Sequence, residues 1–378
     1  MNLKDIGMRR AILNLERYKP GKPIAELKRE IPGLVYRRII KLASNENPLG
    51  PSPKALRAIA NALPELHRYP ESTSPLLREK LARHHAVDLE EVIVGSGADE
   101  ILRLVVETLL EPNDRVVVSQ YAFSRFRQNV QLAGSCVLEV PMKNYKHDLL
   151  AMANAAKQNQ AKVIFVANPN NPTGTFNSVK ELRKFFDCLG PNGPWVVHDE
   201  AYFHFALDAW PKDYPRTLPG YRGLYPKLIV VRTLSKIVGL AGLRVGYAVA
   251  NRGLIAAMDR ARLVFNVSSL AQIGAAAALE DKSHIKRTLR VVREGRVFLT
   301  KKLEALGFGI VQPNAANFLF VKVPMFSGKR VFEALLKQGI IVRPQEDPGI
   351  ENFIRITIGL EKENRALISA IKKIFFNL

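Results

Sequence analysis

One loop of the sequence, residues 233–244, carries an amine, two hydroxyls and a guanidinium between two apolar runs. The hydroxyls belong to Thr233 and Ser235, the amine to Lys236 and the guanidinium to Arg244. Hydroxyls and an arginine can hold a phosphate, the arginine by a two-pronged charge-assisted contact. An amine can form a Schiff base with a carbonyl. The loop therefore fits a cofactor that bears a phosphate, although a lysine taken alone is most often an ordinary solvated side chain.

Three further stretches place polar groups next to apolar runs. Residues 95–100, Gly-Ser-Gly-Ala-Asp-Glu, put backbone N–H groups at the start of a helix, which favours an anion. Residues 168–174 form a rigid loop of Asn and Pro after a strand, where open α/β sheets bind ligands. Asp199 ends another apolar run, and a carboxylate there needs a cationic partner. Each stretch alone is also typical of a plain turn or surface loop.

A sheet must bring these stretches together. Seven short apolar runs occur in the chain, most with a helical segment before the next, which predicts an α/β fold with a mostly parallel sheet covered on both faces. The connection between the last two runs is too short for a helical crossover, so we expect the last strand to run antiparallel. The runs are residues 92–94, 116–118, 137–140, 163–167, 195–198, 228–231 and 245–250.

The length of 378 residues suits two domains, and the pattern of the chain changes near residue 270. Residues 271–378 mix helices with short strands, which predicts a smaller α+β domain. Residues 46–270 contain the seven apolar runs and would form a large cofactor-binding domain. Residues 1–45, with a turn-rich Pro and Gly segment, would form an arm that joins the small domain.

The composition is that of an ordinary globular protein apart from its charge. Hydrophobic residues make up 47% and charged residues 24%, no apolar run has the length of a membrane span, and the N-terminus lacks a secretory signal. Lys and Arg exceed Asp and Glu by 56 to 35, a net charge of +21. The cations are spread without blocks or a nucleic-acid motif, so we expect neither nucleic-acid nor membrane partners. Cys136 and Cys188 favour reduced thiols in the cytoplasm, without metal-ligand spacing.

Together, these stretches resemble the fold-type I family of pyridoxal-phosphate enzymes, and within it the chain is similar to the histidinol-phosphate aminotransferases. The resemblance begins at Tyr18-Lys19-Pro20-Gly21-Lys22 and at residues 42–50, Leu-Ala-Ser-Asn-Glu-Asn-Pro-Leu-Gly. It continues through residues 168–174, 199–202 and 233–244 to residues 353–359. Several motifs in one order are a stronger signal than any of them alone. The fold-type I large domain with a seven-stranded sheet is therefore the expected architecture.

The resemblance implies a role for each matching residue. Lys236 would form the Schiff base with pyridoxal 5'-phosphate and then move a proton, while Asp199 would pair with the pyridine nitrogen. Tyr202 and Asn171 would hydrogen-bond the phenolic oxygen, and the ring of Phe123 would stack on the pyridine. The groups that would hold the phosphate are Thr233, Ser235, Arg244 and the backbone N–H groups of Ala98 and Asp99.

The resemblance also implies a homodimer with shared sites, because Tyr69 matches a residue that reaches the phosphate in the neighbouring subunit. Arg355 would bind the substrate carboxylate with two parallel hydrogen bonds. Tyr18 and Arg343 would line the pocket for the substrate phosphate, although Arg343 has an alternative use in an ion pair with a neighbour such as Glu346. Phe265 matches an aromatic contact from the partner subunit that is Tyr in some members, and Phe cannot donate a hydrogen bond.

The implied reaction is transfer of an amino group between L-histidinol phosphate and 2-oxoglutarate, in histidine biosynthesis. An aromatic aminotransferase and a threonine-phosphate decarboxylase of the same fold are alternatives, because fold does not fix function. A transcription regulator with an aminotransferase-like domain is another, but it needs an N-terminal helix-turn-helix domain, and the family resemblance already begins by Tyr18. The family also carries a cis peptide bond at the position of Asn171–Pro172.

Overall fold

The structure is a computed structural model that describes residues 7–13, 15, 17, 21–30, 39–220 and 223–376. Its β-strands, numbered along the chain, are β1 Ile40–Lys41, β2 Val92–Gly95, β3 Arg115–Ser119, β4 Cys136–Val140, β5 Val163–Ala167, β6 Trp195–Asp199, β7 Leu228–Thr233, β8 Gly246–Val249, β9 Gly309–Ile310, β10 Phe318–Lys322, β11 Ile340–Ile341, β12 Arg343–Pro344 and β13 Phe353–Thr357.

The α-helices, numbered in the same way, are α1 Arg10–Leu13, α2 Ile24–Glu30, α3 Pro53–Ala62, α4 Pro75–His85, α5 Gly97–Leu109, α6 Ser124–Leu132, α7 Leu149–Gln158, α8 Val179–Leu189, α9 Phe203–Ala209, α10 Thr217–Gly220, α11 Arg252–Ala261, α12 Ser269–Ala278, α13 Lys282–Glu304, α14 Gly328–Lys337 and α15 Glu361–Phe376. Short 3₁₀ turns occur at Leu63–Glu65, Leu89–Glu91 and Ala241–Leu243. Within the described residues, no helix is both long and apolar enough to cross a membrane.

The central sheet has seven strands in the order β2-β8-β7-β6-β5-β3-β4. The pairs of β3, β4, β5, β6 and β7 are parallel, whereas β8 runs antiparallel to both of its neighbours, β2 and β7. The expected α/β fold, with all seven apolar runs in one sheet and the last strand antiparallel, is therefore confirmed. The reversal follows from the short connection between β7 and β8, which has no room for a helical crossover.

Both faces of this sheet are covered by helices, which explains why its strands are apolar on both sides. Helices α5, α6 and α11 pack on one face, with Ile101, Phe126 and Ile255 in the core between them and the strands. Helices α4, α7, α8 and α12 pack on the other face. All residues of β5 and β7 are buried.

A second, antiparallel sheet has the strand order β12-β13-β10-β9. Beside it, β1 from the N-terminal part of the chain pairs in parallel with β11. Phe318 and Ile354 of the second sheet belong to the same apolar cluster as one face of the central sheet, so the two sheets share a core. The domain boundaries after residues 45 and 270 stay a prediction.

A buried ion pair lies just beyond the carboxyl end of β6. Arg232 Nε donates to Glu200 Oε2 at 2.7 Å, with the two side chains 4% and 0% exposed. The guanidinium also lies 3.8 Å from the centre of the Phe203 ring. Burial alone would raise the pKa of Glu200, but Arg232 and a hydrogen bond with His198 lower it to about 2. Its stabilising contribution is therefore present above its unfolded-state pKa and is lost only as the pH falls through about 2.

We expect Glu200→Ala to destabilise the protein by about 3–5 kcal/mol, because it leaves the buried Arg232 guanidinium without its counter-charge. Denaturant unfolding followed by circular dichroism measures the change. The control is Glu65→Ala, which removes the exposed partner of Arg68 at 2.8 Å and should cost less than about 1 kcal/mol. A loss for Glu200→Ala no larger than for Glu65→Ala would contradict the prediction.

Candidate active site

A cavity of about 280 Å³ lies at the carboxyl edge of the central sheet, where β5, β6 and β7 end. It is bounded on its other side by residues of the second sheet and of the segment that follows β1. Most residues singled out from the sequence line this one cavity: Ala98, Asp99, Phe123, Asn171, Asp199, Tyr202, Thr233, Ser235, Lys236, Arg244, Arg343 and Arg355.

Lys236 follows β7 in the loop that reverses into β8, so its position is fixed by two buried strands. Its Nζ donates to the backbone carbonyl of Ser44 at 3.1 Å. Burial lowers the pKa of Lys236 to about 8, and the positive charge of Arg355 acts in the same direction. A lysine with this pKa is partly neutral near physiological pH, which an amine nucleophile and proton carrier needs.

The start of α5, the start of β8 and the side chain of Arg244 meet in a cradle that only glycines permit. A Cβ on Gly97 would lie 2.4 Å from Arg244 Nη2, and Gly97 has a φ of +82°. A Cβ on Gly246 would lie 2.3 Å from the backbone nitrogen of Ala98. The guanidinium is thus held against the N-terminus of α5, and both groups favour an anion.

Two hydroxyls complete the cradle. Thr233 Oγ1 lies 2.9 Å from Ser235 Oγ and 3.2 Å from the carbonyl of Val245, and it accepts the backbone N–H of Ser235 at 3.1 Å. These bonds fix the turn out of β7 and orient both hydroxyls at the cavity wall. Asp99 Oδ1, next to the cradle, accepts from Arg125 Nε at 2.7 Å, which offsets its negative charge.

Asp199 is the last residue of β6 and its carboxyl group is buried at the cavity wall. Burial raises the pKa of Asp199 to about 6, even though the backbone N–H of Ala201 donates to its Oδ1 at 2.9 Å. A carboxylate in this position gains from a cationic partner in the cavity, because the partner would restore the charged form.

Tyr202, Asn171 and Arg355 also line the cavity. Arg355 Nη1 donates to Asn171 Oδ1, and Arg355 Nη2 donates to the carbonyl of Ala43 at 2.6 Å. Since a guanidinium only donates, the Asn171 atom that it meets is the oxygen, and the amide nitrogen points elsewhere. Tyr202 OH accepts from Asn45 Nδ2 at 2.8 Å.

The peptide bond between Asn171 and Pro172 is cis, as expected from the resemblance, and so is the bond between Asn168 and Pro169. The ring of Phe123, which also lines the cavity, packs edge-on against Phe126, with centroids 5.9 Å apart.

Arg343 and Arg355 are directly opposite each other on the paired strands β12 and β13. Directly opposed residues of an antiparallel pair project to the same face, here toward the cavity, with Cβ atoms about 4.5–5.5 Å apart. Two cationic side chains on the same face of a strand pair repel each other, so an anion near them is favoured. Both arginines line the cavity together with Gln345 and Asp347.

Two predicted residues, Tyr69 and Phe265, lie outside this cavity lining. Tyr69 and Phe265 stack on each other on the surface, with ring centroids 4.8 Å apart and an interplanar angle of 18°. They are 83% and 41% exposed. Tyr18 lies outside the described residues, so its predicted contact with the substrate phosphate stays a prediction.

Sequence reasoning missed several residues of the cavity wall: Gly21, Ala43, Ser44, Asn45, Gln345 and Asp347. Ser44 and Asn45 belong to the motif at residues 42–50, which carried the resemblance but had no role assigned. The available signal was the density of Asn in that motif, since Asn tolerates the left-handed backbone conformation that Asn45 adopts with a φ of 55°.

The chain is similar over nearly its whole length to proteins of one family. Residues 37–371 match the family model described as Aminotransferase class I and II. The histidinol-phosphate aminotransferase of Moorella thermoacetica is 42% identical over 366 residues, 97% of this chain and 92% of the relative. That of Brevibacillus brevis is 42% identical over 363 residues, 96% of this chain and 97% of the relative.

A solved structure has the same fold. The crystal structure of histidinol-phosphate aminotransferase from Sinorhizobium meliloti in complex with pyridoxal-5'-phosphate matches with a TM-score of 0.87 and 26% sequence identity. The match covers 97% of this chain and 97% of that chain. The fold expected from the resemblance is therefore confirmed.

Proposed function

The chain belongs to the class I and II aminotransferases, and we propose that it transfers an amino group between L-histidinol phosphate and 2-oxoglutarate with pyridoxal 5'-phosphate as cofactor. The products are imidazole-acetol phosphate and L-glutamate, and the reaction belongs to histidine biosynthesis. Relatives named histidinol-phosphate aminotransferase align with nearly the whole chain, which supports this substrate. The cytoplasmic location stays a prediction.

The observation that carries the proposal is one cavity with an amine of lowered pKa and two arginines on the same side of a sheet. Both proposed amino donors have an anionic group, since L-histidinol phosphate bears a phosphate and L-glutamate bears carboxylates. Arg355 would serve the α-carboxylate of glutamate, and Arg343 would serve the substrate phosphate. Two opposed guanidiniums favour a strongly anionic ligand over a neutral one.

The described residues fit the cofactor. The glycine cradle of Gly97 and Gly246 leaves space and donors for a phosphate beside Arg244, Thr233 and Ser235. Lys236 is buried and has a pKa near that of a reactive amine. Asp199 is a buried carboxylate at the same wall, whose raised pKa reflects the cost of its charge without a cationic partner.

In this proposal, bound pyridoxal phosphate supplies an electron sink that makes the substrate's carbon-bound proton removable. Lys236 Nζ takes up and returns that proton, and its position next to the carbonyl of Ser44 keeps the amine at the wall of the cavity. Asp199 holds a proton on the pyridine nitrogen through its negative charge. Tyr202 and Asn171 place hydrogen-bond donors at the phenolic oxygen. The ring of Phe123 would stack on the pyridine ring, as the resemblance implies.

We expect Lys236→Ala to lose turnover almost completely and to form no covalent adduct with pyridoxal phosphate. In the unchanged protein, borohydride reduction of the mixture should label one peptide, the one that contains Lys236, and mass spectrometry identifies it. The matched control is Lys227→Ala, because Lys227 Nζ also donates to a backbone carbonyl, that of Gly193 at 3.0 Å, but lies outside the cavity lining. Labelling retained in Lys236→Ala would refute the assignment.

We expect Arg343→Ala to raise the KM for L-histidinol phosphate much more than the KM for L-glutamate. A charge-assisted hydrogen bond is worth about 1.5–3 kcal/mol, which corresponds to a change of roughly tenfold or more in affinity. Steady-state kinetics with each amino donor measures the difference. Lys337→Ala, which removes an exposed cation from α14, controls for the general loss of positive charge.

Equal effects of Arg343→Ala on both amino donors would contradict the phosphate pocket. Turnover of the unchanged protein with phenylalanine or with threonine phosphate, at rates above that with L-histidinol phosphate, would instead favour one of the alternative reactions of the same fold.

We further propose that the enzyme is a homodimer in which Tyr69 completes the phosphate site of the partner subunit. Tyr69 and Phe265 lie outside the cavity of their own chain, and the surface around them exposes Leu63, Leu66, Leu76, Leu263 and Val264. The two segments are joined by a hydrogen bond from Arg262 Nη1 to the carbonyl of Ser72 at 2.8 Å. Such apolar exposure is typical of a subunit interface.

Mixing Lys236→Ala protein with Tyr69→Ala protein should restore activity. In a hybrid dimer, one site carries both substitutions and the other site carries neither. Random exchange of equal amounts makes about half of the dimers hybrid, so about a quarter of all sites are intact. Turnover is measured together with subunit exchange by native mass spectrometry. Complete exchange without recovery of activity would count against shared sites, and a monomer in solution would refute the dimer.

A further inference from the structure

Asn45 is buried between the cavity and the second sheet, and only 1% of its surface is exposed. It follows β1 and lines the cavity next to Lys236 and Tyr202. Its backbone has a φ of 55°, in the left-handed region that Asn and Gly tolerate best. The backbone is held there by two bonds: Asn45 N donates to Thr357 Oγ1 at 2.9 Å, and Asn317 Nδ2 donates to the Asn45 carbonyl at 3.0 Å.

The side-chain amide of Asn45 is oriented by Thr357. The Thr357 hydroxyl oxygen accepts the backbone N–H of Asn45, so the hydroxyl proton is directed to another acceptor, which is Asn45 Oδ1 at 3.1 Å. The amide oxygen is thereby assigned to the Thr357 side, and the amide nitrogen faces Tyr202. Asn45 Nδ2 then donates to the Tyr202 hydroxyl oxygen at 2.8 Å.

This order of donors fixes the direction of the Tyr202 proton. The hydroxyl oxygen of Tyr202 accepts from Asn45, and an amide nitrogen cannot accept in return, so the tyrosine proton is directed away from Asn45. Asn45 and Tyr202 share the cavity wall with Asp199 and Lys236, where the phenolic oxygen of the proposed cofactor would lie. The chain of bonds therefore runs from β13 through Asn45 to the site.

We propose that Asn45 is a positioning residue that turns the Tyr202 hydroxyl into a hydrogen-bond donor aimed at the cofactor's phenolic oxygen. The inference rests on the proposed function, because it needs bound pyridoxal phosphate. Its physical effect is electrostatic. A donor that is already oriented stabilises the negative charge of the phenolic oxygen, and this favours the deprotonated form of the Lys236–cofactor linkage. Without Asn45 the hydroxyl rotates and the preference weakens.

The test is a pH titration of the visible absorbance of the cofactor-loaded protein, which needs no turnover. Asn45→Gly removes the whole side chain but keeps the backbone bonds to Thr357 and Asn317, since Gly adopts a positive φ without strain. We expect the midpoint of the titration to rise by about one pH unit, the equivalent of about 1.4 kcal/mol. Tyr202→Phe should raise it as well, and Asn45→Gly should add nothing further in the Tyr202→Phe background.

A second pair of variants tests the same chain of bonds from its other end. Thr357→Val removes the hydroxyl that orients the Asn45 amide and should also raise the midpoint of the absorbance titration. Thr357→Ser keeps the hydroxyl and should have the midpoint of the unchanged protein. The matched control is Asn47→Ala. Asn47 is a buried Asn of the same loop, but its amide donates to the carbonyl of Ile237 at 2.9 Å and to Thr288 Oγ1 at 3.0 Å. It should lower stability and leave the midpoint unchanged.

Three results would overturn the proposal: an unchanged midpoint in Asn45→Gly, an additive rise when Asn45→Gly is combined with Tyr202→Phe, or an equal rise in Asn47→Ala. If the Asn45 variant fails to fold, the Thr357→Val and Thr357→Ser pair decides by the same criterion. A failure of the proposed function is distinct from these results, because then the unchanged protein itself would show no titrating absorbance with pyridoxal phosphate.

Discussion

The rest of the site depends on one constraint: two side chains that can carry a charge, Lys236 and Asp199, are buried at the carboxyl edge of the central sheet. Burial disfavours the charged form of each, which lowers the pKa of the lysine to about 8 and raises that of the aspartate to about 6. The lysine is therefore partly neutral near physiological pH, as an amine that moves a proton must be, whereas the aspartate needs a cationic partner to keep its charge. The sheet holds them there because Asp199 ends β6 and Lys236 follows β7, and nearly all residues of these two strands are buried.

A second pair of charged residues, Glu200 and Arg232, lies near the same strand ends and stabilises the fold. Asp199 and Glu200 are consecutive, so the extended backbone directs their side chains to opposite faces. Asp199 meets the cavity, whereas Glu200 meets the Arg232 guanidinium and His198 inside the protein. A buried ion pair contributes little net stability compared with apolar residues, but it is costly to break. Its placement directly behind the site holds the ends of β6 and β7 in a single arrangement.

The cavity is closed by parts of the chain that are far apart in sequence. Ser44 and Asn45 follow β1, and Arg355 lies on β13. Both regions form hydrogen bonds with residues of the loops that follow β5, β6 and β7. The arginines proposed to bind the substrate, Arg343 and Arg355, therefore belong to the second sheet. Most residues proposed to bind the cofactor follow strands of the central sheet. The hydrogen bond from Asn45 to Tyr202 joins the segment after β1 to the segment after β6, and in our proposal the electrostatics of the bound cofactor would depend on this contact.

The apolar runs predicted the seven-stranded sheet and its antiparallel strand, and the loop with Lys236 and Arg244 predicted a phosphate-bearing ligand, because these patterns are local in the sequence. Other residues of the cavity wall, such as Phe123, Tyr202 and Arg355, were implied only by the resemblance to a known family. Which distant groups complete the site depends on how the whole chain packs. The acceptor of Lys236 is a backbone carbonyl at Ser44, and a carbonyl leaves no trace in the residue type. The partners of Asn45 and Arg355 lie hundreds of positions away, and the two arginines meet only through the register of β12 and β13. The alternation of residues along a strand predicts the face of the sheet on which a side chain lies. Which side chains of distant segments come into contact depends on how the whole core packs.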